Sequence, residues 1–300
     1  AAELRVLARI RLAVTARLVA AAASRDPALA ELSSRNFRLT LRVPWLPRAV
    51  VACLEGRVSA WAGGEAPALR LPADLTLLFP SARDCCRVLD GAPGRVLPIP
   101  GGLGAGRALR FFRAAAAAAP RILKSPDTPP AVRAELLLEA AVSALIETAA
   151  EDSYVRPRLE HAPDGTVVVD AGENVRRALR KEGTRLQLVP MPGTATGPGA
   201  GPKDGVGAEA AVRSGADRPG EGRGNPARTD AVRIDAILAF RDPAAAVAVL
   251  SGKKPAVTAL GACEASIRGL VPLVQGLFAV LDRASRYLAV QAEKEARHGR

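Results

Sequence analysis

Aromatic residues are nearly missing from this sequence: six Phe, two Trp and two Tyr make up 3% of its 300 residues. A core here must be built from Leu, Val and the abundant alanine, and a spacious cavity would have the same small aliphatic walls. Histidine is as scarce, with only His161 and His298. No HExxH, GxSxG or paired-carboxylate pattern accompanies them, so no nucleophile, base and orienter can be assembled from the sequence. A non-catalytic protein is expected, without cofactor or metal. The four cysteines, at 53, 85, 86 and 263, have spacings that fit neither a disulfide framework nor a zinc site. Cys85 and Cys86 are expected to be small buried apolar residues, in a reducing, cytoplasmic setting. Long apolar runs are lacking too. The best candidate, residues 269–281, lies between Arg268 and Asp282 and falls short of the roughly 18 to 20 residues that span a bilayer.

Positive charge, by contrast, is in excess, with a net of +12. Residues 1–125 carry 19 Lys and Arg against 8 Asp and Glu, a net of +11. Residues 126–190 carry 8 against 11. A basic first half suits nucleic acid, an anionic membrane or an acidic partner. Nucleic acid is the weaker fit, because strand readers interleave stacking aromatics with arginine and Trp45 and Trp61 stand far apart.

Three hundred residues accommodate two domains. Apolar residues at three- and four-residue spacing predict a helix over 4–23. Strand-like segments follow at 36–43, 49–54, 57–62 and 73–79, then a helix at 82–89, a strand at 95–99 and a helix at 105–119. Beyond these come a helix at 130–151, a strand at 166–170, a helix around 174–181 and a strand at 185–189. Residues 191–229 are rich in Gly, Pro and Ala with scattered charges, a composition that predicts a disordered insertion. A strand at 232–240, a helix at 243–250, a strand near 257–260 and a helix over 273–294 complete the reading.

The chain also repeats itself. At a shift of 161, residues 74–112 lie over 235–273 without a gap. Phe79 falls on Phe240, Gly91 on Gly252, Val96 on Val257, Arg107 on Arg268 and Leu109 on Leu270. Fixed-period self-similarity with the same element order points to two related structural units.

The repeated segment reads "ADLTLLFPSARDCCRVLDGAPGRVLPIPGG" in the first unit and "IDAILAFRDPAAAVAVLSGKKPAVTALGAC" in the second. It resembles the C-terminal half of the sterol carrier protein type 2 domain family: a strand ending in an aromatic, a short helix, a Leu-x-Gly turn, another strand and a closing helix. "RAVVACLEGRVSAWAGG" resembles that family's central hairpin, with Gly56 at the turn. "SIRGLVPLVQGLFAVLDRASRYL" resembles the long closing helix of bacterial relatives. The resemblance implies an α+β fold of two domains, 1–125 and 126–300. Each would be a twisted, mainly antiparallel sheet covered by helices around an apolar pocket. It also implies binding and transfer of a lipid of the sterol, hopanoid, isoprenoid or fatty acyl class, with the more complete pocket in the first domain.

On that resemblance the expected pocket lining is Trp61, Leu77, Phe79, Phe111, Phe112, Phe240, Leu270, Leu273, Leu277 and Phe278. Arg107, Arg110 and Arg113 recur every three residues and should share a helix face. There they would meet lipid phosphates or an anionic membrane at the inner face of the cell, or simply water. The Arg107–Arg268 match suggests an ion pair common to both units. The cluster "GGLGAG" at 101–106 lacks the spacing of a phosphate loop and reads as a tight turn. Glu135, Glu139 and Asp152 read as an ordinary polar helix face and its end. The competing function is a sealed scaffold that holds an enzyme of lipid or isoprenoid metabolism.

Overall fold

The computed structural model describes residues 2–62, 74–102, 104–172, 175–191 and 233–298, with side chains up to residue 287. Apart from Met191, the expected insertion lies outside the described residues, as do Gly63, Gly64 and Pro72.

The chain begins with two helices, α1 (Ala2–Ala23) and α2 (Pro27–Leu32), followed by a three-strand meander, β1 (Phe37–Arg42), β2 (Ala49–Leu54) and β3 (Arg57–Trp61). It continues through β4 (Asp74–Leu78), α3 (Ala82–Leu89), β5 (Leu97–Pro100) and α4 (Ala105–Lys124). The same series then recurs as α5 (Pro130–Glu151), α6 (Arg156–His161), β6 (Gly165–Asp170), β7 (Arg176–Glu182) and β8 (Arg185–Val189). It ends with β9 (Ala236–Phe240), α7 (Pro243–Leu250), α8 (Ala256–Gly261), β10 (Ala265–Gly269) and α9 (Val271–His298). The protein is thus mixed α and β, with two five-stranded mixed sheets ordered β3-β2-β1-β4-β5 and β8-β7-β6-β9-β10. In each sheet one central pairing, β1–β4 or β6–β9, is parallel, and the other three are antiparallel.

Matching tertiary contacts tie the two series together. The Asn36 side chain accepts a bond from the Glu55 amide at 2.8 Å, and 128 residues later Asp164 accepts one from the Gly183 amide at 2.8 Å. Both pin the hairpin turn, where Glu55, Gly56 and Gly183 all have positive φ. Ser81 caps α3 and Asp242 caps α7, 161 residues apart, and Gly91 and Gly252 leave those helices with φ of 77° and 74°. After this glycine the register slips. Five residues separate Gly91 from β5 and twelve separate Gly252 from β10, because α8 is inserted. The ungapped alignment therefore fails beyond position 91. Val257 lies in α8 rather than in a strand, and Arg268 is an exposed residue of β10 while Arg107 belongs to α4. These arginines are not equivalent, and neither has an ion-pair partner among the described residues.

A further correction concerns residues 174–181. Arg176–Glu182 is rich in helix formers, yet it forms the strand between β6 and β8. Tertiary pairing overrides a weak local preference. Its alternation sends Arg177, Leu179 and Lys181 to the helix side, where Arg177 meets Glu139 at 2.5 Å and Lys181 meets Asp164 at 2.6 Å.

The centre of the molecule is the antiparallel pair α1 and α5. One side of α1 (Ala8, Leu12, Ala16, Val19) covers the first sheet. Its other side (Val6, Ile10, Val14) packs on Ala144 of α5 and Ala284 of α9. Burial on both sides explains why a simple amphipathic stripe does not describe it. α5 covers the second sheet with Ala134, Leu138, Val142 and Leu145. Charges lace the seam: Arg9 with Glu147 and Glu151, Arg17 with Glu139 at 4.0 Å, and Arg25 with Glu135 at 2.5 Å. Glu135 and Glu139 are therefore partners across a helix interface, not an ordinary solvated face.

Glu147 is buried, and burial raises its pKa against the pull of Arg9. Removing the cation would strand a buried acid. Arg9→Met is expected to lower the unfolding free energy by roughly 3 kcal/mol at neutral pH, measured by urea titration. The loss should shrink as pH falls toward the ordinary carboxylate range. Glu147 has a folded pKa above its unfolded one, so the native state takes up the proton first and gains stability there.

Candidate functional site

In the second half, α5 and α9 lie over the sheet, and between them is an apolar cavity of about 40 Å³. Its floor is buried: Val167 and Val169 of β6, Leu179 of β7 and Leu238 of β9, facing Leu138 and Val142 of α5. These residues meet because alternation in the strands directs every second side chain to the helix side. On α9, Val274, Leu277, Phe278 and Leu281 follow three- and four-residue spacing and form one wall. The opposite rim comprises Val249 and Leu250 of α7 with Ala256 and Leu260 of α8, all half-buried. Every lining residue is apolar. Near the rim in sequence, Val257, Leu270 and Val271 add exposed apolar side chains.

Among the described residues the corresponding place in the first half is filled, and residue size explains the difference. At the 128-residue offset Phe37 is replaced by Gly165, Leu39 by Val167 and Leu41 by Val169. Phe37 packs against Phe111 with ring centroids 4.6 Å apart and the ring planes tilted by 50°. At Gly165, a Cβ would stand 3.0 Å from Leu273 Cδ2, so Leu273 occupies the space over a glycine. The closing helices correspond at an offset of 162: Arg121 pairs with Asp26 and Arg283 with Asp152, each at 2.6 Å. Alanines 115 and 119 then stand opposite Leu277 and Leu281. The smaller strand residues of the second half leave space that the first half fills.

α9 is anchored where it passes the end of α5. Asp152 accepts bonds from Arg283 at 2.6 Å, Tyr287 at 2.8 Å and the Tyr154 amide at 2.8 Å. Burial pushes its carboxyl upward, but these three donors outweigh it and hold the pKa below the ordinary value. Burial, together with the same carboxylate, pushes the Tyr287 hydroxyl up to about 12. Arg283 also lies over the Tyr154 and Tyr287 rings, 5.5 and 5.1 Å from their centroids, a cation–π arrangement that fixes its plane.

The expected lining residues divide among several environments. Phe240, Leu277 and Phe278 line the cavity. Leu273 is fully buried beside Gly165, and Leu270 is exposed ahead of α9. Leu77, Phe79 and Phe111 are sealed in the first core, while Trp61 and Phe112 are half-buried. The apolar cavity therefore belongs to the second half, whereas the better pocket was expected in the first. The floor residues from α5 were not expected; the periodic run Ala134, Leu138, Val142, Leu145, Ala149 carried their signal. Arg110 and Arg113 are exposed and Arg107 is half-buried on α4, and none has an ion-pair partner among the described residues.

Cys53, Cys85 and Cys86 are buried and Cys263 is exposed. Burial raises the Cys85 thiol far above its ordinary value, which leaves it a small apolar group rather than a thiolate. His161 is exposed at the end of α6, its Nδ1 2.5 Å from the Pro157 carbonyl. Among the described residues no three His, Cys, Asp or Glu side chains converge as a metal site would require, and no helix is long and apolar enough to cross a membrane. Compared with family models and with curated proteins, the chain matches none.

A 40 Å³ void costs about 1 kcal/mol at roughly 24 cal/mol per Å³. Val169→Leu places one more methylene there and is expected to raise the unfolding free energy by about 1 kcal/mol, read by urea titration. Asp152→Asn should weaken α9 docking at neutral pH. It should also reduce the loss of stability on acidification, since a depressed carboxyl stabilises above its unfolded pKa and ceases to as pH falls through the folded one. Thermal melts of both proteins from neutral pH to below the carboxylate range check this.

Proposed function

We propose that the protein is a non-catalytic lipid binder whose ligand, a fatty acyl, isoprenoid or sterol-class molecule, enters the second half between α7–α8 and α9. The observation that carries this reading is the wholly apolar lining of the cavity, open along a half-exposed rim. Burial of each methylene is worth about 0.8 kcal/mol, and no polar group in the lining would be stranded by an apolar guest. The space is small, so uptake parts the rim. α8 is suited to that step, being a six-residue helix without a side-chain cap at its N-terminus. α9 stays fastened at its middle by Asp152.

Further support comes from the order of elements. Each half runs through a hairpin, a crossover strand ending at an aromatic, a short helix with a glycine exit, a strand and a closing helix. That is the series in which the sequence resembles sterol carrier protein type 2 domains. The first half, filled by Phe37 and Phe111, serves in this reading as the structural partner.

Native mass spectrometry of the purified full chain, followed by organic extraction, tests the proposal. One lipid per chain is the expected result. Leu277→Trp, which fills the cavity from the α9 wall, should abolish both the bound mass and uptake of fluorescent fatty acid or sterol probes. A clean mass together with refusal of every probe would favour the scaffold reading.

A further inference from the structure

The outer face of the first sheet, opposite α1 and α4, carries Arg38, Thr40 and Arg42 along β1, with Asp74 and Thr76 beside them on β4. Together with Leu46 and Arg48 from the β1–β2 loop, they line a groove of about 420 Å³. Arg42 and Arg48 are exposed and form no ion pair among the described residues. Asp74, the one acid lining the groove among the described residues, sits directly across the ladder from Arg38. Three guanidinium groups therefore face one carboxylate.

The loop beside this groove presents Trp45. Its side chain is 91% exposed and its backbone has a φ of 66°. A bulky residue in the left-handed region is a genuine outlier, and Pro44 and Pro47 flank it. Strain of this kind persists only where surrounding structure enforces it, and here it holds an apolar ring out in solvent.

The second half supplies an internal comparison. At the 128-residue offset, Arg38, Thr40 and Arg42 become Thr166, Val168 and Asp170. Asp170 is satisfied by Arg176 at 2.8 Å, and Asp235, the counterpart of Asp74, by Arg233 at 3.0 Å. The two acids at these positions of the second sheet are thus paired, so the fold forms without an unpaired arginine at the place of Arg42.

We propose that this face docks on an anionic phospholipid bilayer, with Arg42 and Arg48 against lipid phosphates and Trp45 in the interfacial layer. Indole rings favour the headgroup level, and basic residues are drawn to anionic leaflets. The α4 stripe of Arg110 and Arg113 is on the helix-covered side of the sheet, so one flat membrane cannot meet both. This docking does not rest on the cavity, and vesicle binding is measured separately from cargo.

The test uses the full chain carrying Trp61→Phe, which leaves Trp45 as its only tryptophan. Vesicles of equal parts phosphatidylcholine and phosphatidylglycerol should shift its emission to the blue, with binding that weakens as salt is added. Arg42→Gln with Arg48→Gln should reduce vesicle affinity roughly 25-fold, at about fivefold per cation. Arg110→Gln with Arg113→Gln should leave it unchanged. Vesicle binding without a Trp45 shift would overturn the proposal, as would an equal loss in the α4 variant. Binding to oligonucleotides but not to vesicles would overturn it too. All four substituted arginines are exposed, and unchanged far-UV circular dichroism would confirm that each variant is folded.

Discussion

Everything in this protein hangs on the seam between α1 and α5. Each helix has one side committed to its own sheet and the other to its partner, so either half alone would leave an apolar helix side exposed to water. Alanines at 140 and 144 let the helices approach closely, and Arg9 and Arg17 of α1, with Arg25 just beyond it, are matched in antiparallel order by the glutamates of α5. Paired charges of this kind add little net stability, since desolvation offsets their attraction. They do penalise a slipped or parallel arrangement, because either would bury Glu147 without a cation.

The duplication frees the two halves to diverge. The strand order, the pinned hairpin turn and the capped helix with its glycine exit are common to both. What differs is what fills the space between sheet and closing helix. Two tilted rings pack together there in the first half, while glycine, valine and leucine occupy it in the second. With so few aromatic residues in the chain, placing Phe37 and Phe111 together closes one core, and their absence leaves the other incompletely filled. The outer faces diverge in the opposite sense. Beside the first sheet Arg42 and Arg48 have no ion-pair partner among the described residues, whereas Asp170 and Asp235 of the second are paired.

The β5 edge illustrates a quieter constraint. Its four residues, Leu97–Pro100, are all exposed, and two of them are proline. Pro on an edge strand removes donors that would otherwise invite another strand to pair. The second half protects its corresponding edge differently, with Ser266 and the charged Arg268 on β10.

Much of the architecture was legible along the chain. Helix α3 and the long helix α5 occur at their expected bounds, and β1 to β4 lie within a residue or two of theirs, because turn residues and apolar periodicity punctuate them. The strand Arg176–Glu182 was not legible, since a run of helix-forming residues becomes a strand only when β6 and β8 supply its partners. Nor was the α8 insertion, because alanine-rich segments align without a gap whether or not their structures do. Sequence by itself carried the internal repeat, the mixture of helices and strands, and the shortage of rings that leaves a cavity with small aliphatic walls. Only the tertiary structure decided which half holds the cavity and which cations stay unpaired. Both depend on residues such as Phe37 and Phe111, or Arg9 and Glu147, that are far apart in the chain and brought together by folding.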